Sequence, residues 1–265
     1  MPQPFPADTS ARVRVRREGA VAVVVLDDQP RGNAIGSRMR SELRAKLTAL
    51  ATEPSVRALV LTGAGECFSA GGDLSAMPPR SFDDGVARMG EVTSLILQFA
   101  ALEKPVVAAV TGPAAGIAVG LVCCCDVVVI DDTARFLFPF TRLGLTADGG
   151  LTHSLSQRVG AARARRILIE AAPLTATEAL AMGLADHLAT EQGVLHAAVD
   201  RAEELASRAP LAVAAVKRAV REASSTYQEA LTFERDHQPA LFGTSDFLEG
   251  KQSFLQKRAP SFSGR

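Results

Sequence analysis

The sequence predicts an α/β fold with parallel strands, and three observations support this prediction. Over the first half of the chain, short apolar and β-branched runs of strand length alternate with longer segments whose apolar residues recur at the period of a helix. Two glycine-rich turns, Gly71-Gly72 and Gly112–Gly116, follow two of the apolar runs. From Gly149 onward the pattern becomes almost wholly helical, so helices are expected to complete the fold.

Strands and helices alternate up to about residue 138. The expected elements are strands Val13–Val15 and Val21–Leu26, a helix that Ser37 caps and that runs to about Thr52, strand Val56–Thr62, a helix from about Asp83 to Leu102, strand Val106–Val110 with a turn and a helix from Gly116, and strands Asp126–Ile130 and Arg135–Phe138. Glu18-Gly19 predicts a hairpin between the first two strands. The second helix carries six apolar residues at helical spacing: Val86, Met89, Val92, Leu95, Ile96 and Phe99.

The remaining sequence has the apolar periodicity of helices. The candidates are Leu151–Val159, Ala161–Ile169, Thr175–Met182, Glu191–Arg208, Leu211–Ala223 and Tyr227–Leu241. The composition changes near residue 200. We therefore expect residues 1–200 to form the core and residues 201–265 to form a helical appendage, not an independent domain.

Composition excludes several classes of function. The chain has 265 residues, of which 47% are apolar, and this predicts a sizeable core and argues against disorder. The formal net charge of zero and the absence of Trp argue against nucleic-acid binding. Four cysteines are present, and the run Cys123–Cys125 lacks the spacing of zinc ligands. We expect small buried thiols in a reducing cytoplasm, with no metal site. The N-terminus has no charged start followed by an apolar run, so no signal peptide is expected.

One segment raises the alternative of a membrane span. Val106–Cys125 is uncharged over twenty residues, long enough to cross a bilayer. Its glycines at positions 112, 116 and 120 have the spacing seen in packed membrane helices. Pro113 lies near the middle, however, where it would interrupt a helix. The segment is better explained as a buried strand, a turn and a short helix, and no membrane partner is expected.

The two glycine-rich turns carry the strongest functional signal. The first is contained in Cys67–Leu74, and the second in Lys104–Gly116. Small residues at such turns let a ligand approach the backbone, so that N–H groups can hold an oxygen atom. Both motifs, in this order, resemble the crotonase family of enoyl-CoA hydratases and isomerases, and the resemblance runs through nearly the whole chain.

The resemblance implies a fold, an assembly and a ligand. The expected fold is a spiral of ββα units with a C-terminal helical region that mediates trimerisation, giving a homotrimer or a hexamer. The expected ligand is an acyl-CoA thioester, which is the substrate, and no separate cofactor is expected. In the family, backbone N–H groups at the positions of Gly72 and Ile117 form the oxyanion hole. Glycines that only permit tight turns are the alternative explanation for either motif alone.

The resemblance also assigns neighbours of the hole. Ala70, Gly71, Gly116, Gly120 and Phe140 match positions that surround the acyl group. Asp73 is expected to brace its turn, because aspartate commonly accepts hydrogen bonds from nearby backbone N–H groups. His153 could face the same pocket, but a surface or core histidine is the more common case.

The acid–base groups of a typical hydratase are absent. Family hydratases carry glutamates at the positions that Gly120 and Phe140 occupy here, and without them a water molecule cannot be held and activated in the usual way. Asp148 matches the aspartate that moves the proton in isomerase members. The sequence therefore favours an isomerase. The alternatives are a helix cap at Asp148, a nucleophilic Asp148 as in dehalogenase relatives, a non-catalytic acyl-CoA-binding protein, and a hydratase or lyase with a displaced base.

Two segments match the family's coenzyme A contacts. Arg31 and Ala34 lie in a loop that resembles the segment flanking the nucleotide. Phe254 and Lys257 lie in a closing motif whose counterparts reach the coenzyme A of a neighbouring subunit, and lysine supplies a point charge for phosphate. A solvated basic tail is the alternative explanation for the second segment.

Overall fold

The computed structural model describes residues 12–77, 81–189, 191–223 and 226–265. Over these residues the strands are β1 (Val13–Glu18), β2 (Val21–Leu26), β3 (Ala58–Gly63), β4 (Val106–Val110), β5 (Pro113–Ala115), β6 (Val127–Ile130), β7 (Arg135–Leu137), β8 (Leu174–Thr175) and β9 (His187–Leu188). A six-stranded sheet has the order β1-β2-β3-β4-β6-β9, and only the β1–β2 pair in it is antiparallel. Strands β5, β7 and β8 form a second, smaller sheet.

Helices cover both faces of the larger sheet. They are α1 (Ser37–Thr52), α2 (Phe82–Ala100), α3 (Ile117–Cys123), α4 (Leu151–Val159), α5 (Ala161–Glu170), α6 (Ala176–Met182), α7 (Val194–Ala206), α8 (Pro210–Glu222), α9 (Tyr227–Phe242) and α10 (Ser245–Gln256). The expected hairpin, the parallel strands and most of the expected helices are therefore confirmed, with ends that differ by a few residues.

The core follows from the alternation of side chains along each strand. In β3, Leu59 and Leu61 face the side that α1, α2 and α3 cover, whereas Ala58 and Val60 face α7. Because both faces are covered, the central strands are apolar at almost every position. Residue 200 lies inside α7, which packs on the sheet, and the division of the chain at that residue stays a prediction.

The structure differs from the sequence analysis in three places, and the predicted cap at Ser37 is wrong. Ser37 is the first residue of α1, not its cap; Gly36 occupies the cap position, and the Ser37 hydroxyl donates to Glu91 instead. Val86 and Met89 are exposed, because the buried face of α2 begins only at Val92. Helix α10 was not expected, since its sequence was interpreted as a closing motif and a basic tail.

The uncharged stretch 106–125 folds as the strand, turn and helix that the sequence favoured. It comprises β4, the short strand β5 at Pro113 and then α3, and all of these are packed within the protein. In the described part of the chain, none of the helices combines the length and the apolar character that crossing a bilayer requires.

Candidate active site

The two glycine-rich turns lie side by side. The first follows β3 and the second follows β4, which are neighbouring parallel strands, so both turns leave the same edge of the sheet. Ser69 and Ala114 form a parallel bridge, and the Ala115 N–H donates to the Ser69 carbonyl over 2.9 Å. The carboxyl ends of parallel strands are a common location for ligand sites.

Glycine is required at two points where the turns meet. Gly71 has φ +85°, and a side chain there would collide with the carbonyl of Ala115. Gly116 has φ +53° and directly precedes α3. Residues that carry a side chain rarely adopt either backbone conformation. Glycine at these two positions therefore allows the two backbones to approach each other.

The two N–H groups assigned to the oxyanion hole are available to a ligand. Gly72 follows Gly71 in the first turn, and Ile117 is the first residue of α3. Within the residues that the structure describes, neither N–H donates to a backbone or side-chain acceptor. Two such donors on packed backbone suit an oxygen on which negative charge develops.

Asp148 is held next to Ile117 by the glycine that follows it. Gly149 packs so closely on α3 that a side chain on it would lie 3.1 Å from the Ile117 Cα. The Asp148 side chain is partly buried, and its Oδ1 is fully buried without a hydrogen-bond partner in the described part of the chain. Burial raises the pKa of Asp148, and the positive charges of Arg88 and Arg40 act in the opposite direction.

The helix-cap explanation for Asp148 is wrong. Helix α4 begins at Leu151, and the residue in the cap position is Gly150. No side chain caps this helix. Only the Asp148 backbone takes part, since its carbonyl accepts a hydrogen bond from the Leu151 N–H over 3.2 Å. The carboxyl group is therefore not used to begin the helix.

The two positions that carry glutamates in family hydratases are occupied by other groups here. Gly120 lies in α3 directly against Gly149, and a side chain at position 120 would collide with the Gly149 carbonyl. Phe140 is only 5% exposed, and its ring tip lies 3.7 Å from where a Cβ on Gly116 would be. Backbone fills one position and a phenyl ring the other.

The loop that contains Arg31 and Ala34 packs against the first turn. The Ala70 N–H donates to the Gly32 carbonyl over 2.7 Å, and the Ile35 N–H donates to the Gly71 carbonyl over 2.6 Å. Ala34 is buried. The exposed Arg31 side chain pairs with Asp28 over 3.3 Å. The structure thus brings this loop to the candidate hole, and its expected contact with the nucleotide of coenzyme A stays a prediction.

Asp73 braces its turn, which confirms the structural role expected for it. Its Oδ1 accepts from the backbone N–H groups of Ser75 and Ala76, and from the Ser75 hydroxyl over 2.6 Å. The Ser75 hydrogen bond lowers the pKa of Asp73. Its carboxyl group is committed to this turn.

Three residues considered from the sequence lie apart from this cluster. Phe254, on α10, is 84% exposed, and Lys257 ends that helix in a left-handed conformation. Helix α10 packs on α9, away from the two turns. His153 is exposed on α4, as the more common case predicts.

Two arginines near the site were missed by the sequence analysis. The Arg88 Nη2 atom, on α2, lies 3.1 Å from the position that a Cβ on Gly72 would take. Arg40 is buried on α1, donates to the Ile35 carbonyl over 3.0 Å and pairs with Glu91 over 2.6 Å. Their placement depends on how α1 and α2 pack together, for which a single sequence carries no local signal.

Comparisons with known proteins agree with this architecture. Residues 16–265 match the family model described as enoyl-CoA hydratase/isomerase. The chain is 34% identical to 2,3-dehydroadipyl-CoA hydratase of Escherichia coli over 95% of this chain and 98% of the relative. It is 37% identical to a probable enoyl-CoA hydratase of Rhodobacter capsulatus over 96% and 98%.

A solved structure shows the same fold. The enoyl-CoA hydratase from Polaromonas sp. JS666 superposes with a TM-score of 0.89 at 31% identity, over 94% of this chain and 99% of that one. The predicted α/β fold of the crotonase type is therefore confirmed. The chain belongs to the enoyl-CoA hydratase/isomerase family, also called the crotonase family.

Proposed function

We propose that this crotonase-family acyl-CoA enzyme is a double-bond isomerase in which Asp148 carries the proton. One observation carries the proposal: the partly buried Asp148 directly precedes the glycine that packs on Ile117, while Gly120 and Phe140 occupy the positions of the hydratase glutamates. A buried carboxylate of raised pKa is a suitable base for removing a proton from carbon.

The proposed reaction needs no second reactant. The Asp148 carboxylate removes a proton from C2 of a 3-enoyl-CoA, and the electron pair moves through the carbonyl and the double bond to give a dienolate. The N–H groups of Gly72 and Ile117 hold the thioester oxygen while it carries negative charge. Asp148 then returns the proton to C4, the double bond lies between C2 and C3, and the carboxylate is restored.

Hydration of a 2-enoyl-CoA requires acid–base groups that this arrangement lacks at positions 120 and 140. A water molecule has to be oriented, deprotonated and added at C3, while a proton is delivered to C2, and family hydratases use two carboxylates for this. The relatives reported above are named hydratases, so this function is the alternative. It would need a base outside positions 120 and 140.

The two functions are separated by substrate. The wild-type protein is given a 3-enoyl-CoA and, separately, a 2-enoyl-CoA of the same chain length. The two isomers are distinguished by chromatography and by the ultraviolet absorbance of the conjugated 2-enoyl thioester, and hydration is detected by mass. We expect the first to give its 2-enoyl isomer without a gain of 18 mass units and the second to be hydrated at least 100-fold more slowly. Rapid hydration of the 2-enoyl-CoA would contradict the proposal. Binding of both thioesters without turnover would favour the non-catalytic alternative.

We propose further that the chain assembles as a trimer or a dimer of trimers. Helices α8, α9 and α10 line an apolar groove at the surface, and large apolar side chains beside it are exposed, among them Val216 at 63% and Val220 at 65%. A contiguous apolar surface of this kind is typical of a protein interface. A neighbouring copy on this groove would also bring Phe254 and Lys257 towards a second acyl-CoA site.

A further inference from the structure

Arg88 introduces a positive charge beside the candidate oxyanion hole. It lies on α2, its side chain is partly buried, and its Nη2 atom stands 3.1 Å from the position of a Cβ on Gly72. The Met77 Cε atom lies 2.9 Å from the same position, so a methionine methyl and a guanidinium together cover this side of the glycine.

Three carboxylates, those of Asp148, Glu91 and Asp73, are near enough to act on Arg88 by their charge. Asp73 accepts three hydrogen bonds from Ser75 and Ala76, and Glu91 pairs with Arg40 over 2.6 Å. In the ranges that the structure describes, Arg88 has no carboxylate partner at ion-pair distance. Asp148 is near enough for the two charges to affect each other's pKa, without forming an ion pair.

The charge of this guanidinium is balanced from a distance, not by a hydrogen-bonded carboxylate. Burial lowers the pKa of Arg88, the like charge of Arg40 acts in the same direction, and the charges of Asp148, Glu91 and Asp73 act against it. A partly desolvated guanidinium that has no carboxylate at ion-pair distance, among the described residues, can donate two hydrogen bonds to an incoming carboxylate. The arrangement suits an anion that arrives with the ligand.

The position of Arg88 indicates which part of the ligand would carry the anion that it binds. A thioester oxygen held by Gly72 and Ile117 places the acyl group beside Arg88, whereas the phosphates of coenzyme A are separated from the thioester by the length of the pantetheine arm. Asp148 repels a second negative charge in this pocket. An anionic acyl group would therefore require a positive charge in the pocket, and Arg88 supplies one beside Gly72.

We propose that Arg88 is a specificity-determining residue that selects acyl groups bearing a carboxylate at their far end. The natural substrate is then the coenzyme A monothioester of an unsaturated dicarboxylic acid. This inference rests on the proposed function only in that the site holds an acyl-CoA thioester by its carbonyl oxygen.

Binding of saturated thioesters tests the inference without requiring turnover. Kd is measured by calorimetry for two pairs matched in carbon number: glutaryl-CoA with valeryl-CoA, and adipyl-CoA with hexanoyl-CoA. In the wild type we expect the carboxylate member of at least one pair to bind about tenfold more tightly, the size typical of a hydrogen bond between charged groups. Arg88→Gln should abolish that preference, and Arg88→Lys should keep part of it.

Matched controls separate this outcome from others. Arg165→Gln removes an exposed arginine from α5 and should leave the wild-type preference unchanged. The inference is overturned if neither pair shows a preference in the wild type, or if Arg88→Gln retains it. A wild-type protein that shows the preference but does not isomerise any 3-enoyl-CoA would instead count against the role of Asp148 and leave the role of Arg88 standing.

Discussion

Among single residues, Asp148 has surroundings that act on its carboxyl group in opposite directions. Burial raises its pKa, and the charges of Arg88 and then Arg40 lower it, with burial the larger effect. An aspartate of raised pKa accepts a proton from carbon more readily than an exposed one. The pocket thus gives the proposed base its strength and keeps two cations near enough to support its ionised form.

The pH dependence of the reaction follows from this pKa. Asp148 acts as a base only when ionised, so kcat/KM should fall as the pH falls through its pKa. Because that pKa is raised, we expect the acid limb to lie above the value near 3.8 of an ordinary aspartate. A profile of kcat/KM for a neutral 3-enoyl-CoA between pH 4 and 9 measures it. An acid limb at or below the ordinary value would contradict burial as the dominant effect.

Removing the charge of Arg88 should move the same limb. The cation lowers the pKa of Asp148, so Arg88→Gln should raise that pKa and shift the acid limb to higher pH. The profile is measured with the neutral substrate, which separates this effect from recognition of an acyl carboxylate. Arg165→Gln serves as the control and should leave the limb in place. A shift to lower pH would show that Arg88 does not act on Asp148 as a charge.

Residues of the site differ in how far sequence could predict them. The positions of Gly72, Ile117 and Asp148 follow from motifs that are local in the chain, and the structure brings these three segments together. Arg40 and Arg88 come from two helices whose mutual packing has no local signature. In the sequence, Arg40 and Arg88 cannot be distinguished from ordinary surface arginines on helices. Their location near the candidate site is evident only from the fold.

Among elements, the packing of α3 against the loop before α4 determines the site. Gly149, in the loop before α4, packs against the first turn of α3, where it contacts Ile117 and Gly120. Its φ is +63°. The absence of a side chain at Gly120 is what lets this loop approach. Gly120 therefore has two consequences. It replaces one of the two hydratase glutamates, and it leaves the space that the segment carrying Asp148 occupies.

A methyl group at position 120 should disturb both stability and activity. Gly120→Ala places a Cβ against the Gly149 carbonyl, and we expect a loss of about 1–3 kcal/mol in the free energy of unfolding, as in other overpacked cores. Gly90→Ala on α2 is the matched control, because nothing lies within 4 Å of its Cβ position, and it should stabilise the helix by about 0.5–1 kcal/mol.

Chemical denaturation of both variants, with isomerase assays beside it, provides the measurement. Equal stabilisation by the two alanines would show that α3 and the loop do not pack as described. The predicted loss of stability together with lost isomerase activity in Gly120→Ala would support the role of this contact in positioning Asp148. Unchanged stability of Gly120→Ala would contradict the contact between α3 and the loop.

Elements were predicted well where periodicity decides them, and less well where packing decides them. The strand β2 and helix α4 have the bounds that their apolar patterns predicted. Helix α10 was missed because Ser245–Gln256 mixes charged and apolar residues around the helix, so its apolar face is partly exposed. Exposure of that kind depends on the tertiary structure, not on the local sequence.

At the scale of the whole molecule, the sheet is covered on both faces and the C-terminal helices add a surface of a different kind. Helix α7 closes one face of the sheet, whereas α8, α9 and α10 pack together and leave their groove open. The sequence predicted the helical character of residues 201–265. That their apolar side chains remain exposed in one chain could be learned only from the fold.

Charged substitutions on the groove should prevent assembly. We expect the wild type to have three or six times the mass of one chain in solution, and the double variant Val216→Glu, Val220→Glu to have the mass of one, because buried unpaired carboxylates oppose association. Light scattering coupled to gel filtration gives the masses. Ile169→Glu, an equally exposed apolar position on α5, is the control. An assembled double variant would contradict the proposed interface.

The most direct test of the proposed function replaces the proton carrier and leaves the oxygen site intact. Asp148→Asn is compared with the wild type and with Asp132→Asn, a change at an exposed aspartate, for isomerisation of a 3-enoyl-CoA and for binding of its saturated analogue. We predict that only Asp148→Asn loses at least 100-fold in kcat while its Kd stays within about threefold, as expected when a general base is removed. Isomerisation by Asp148→Asn at the wild-type rate would contradict the assignment of Asp148.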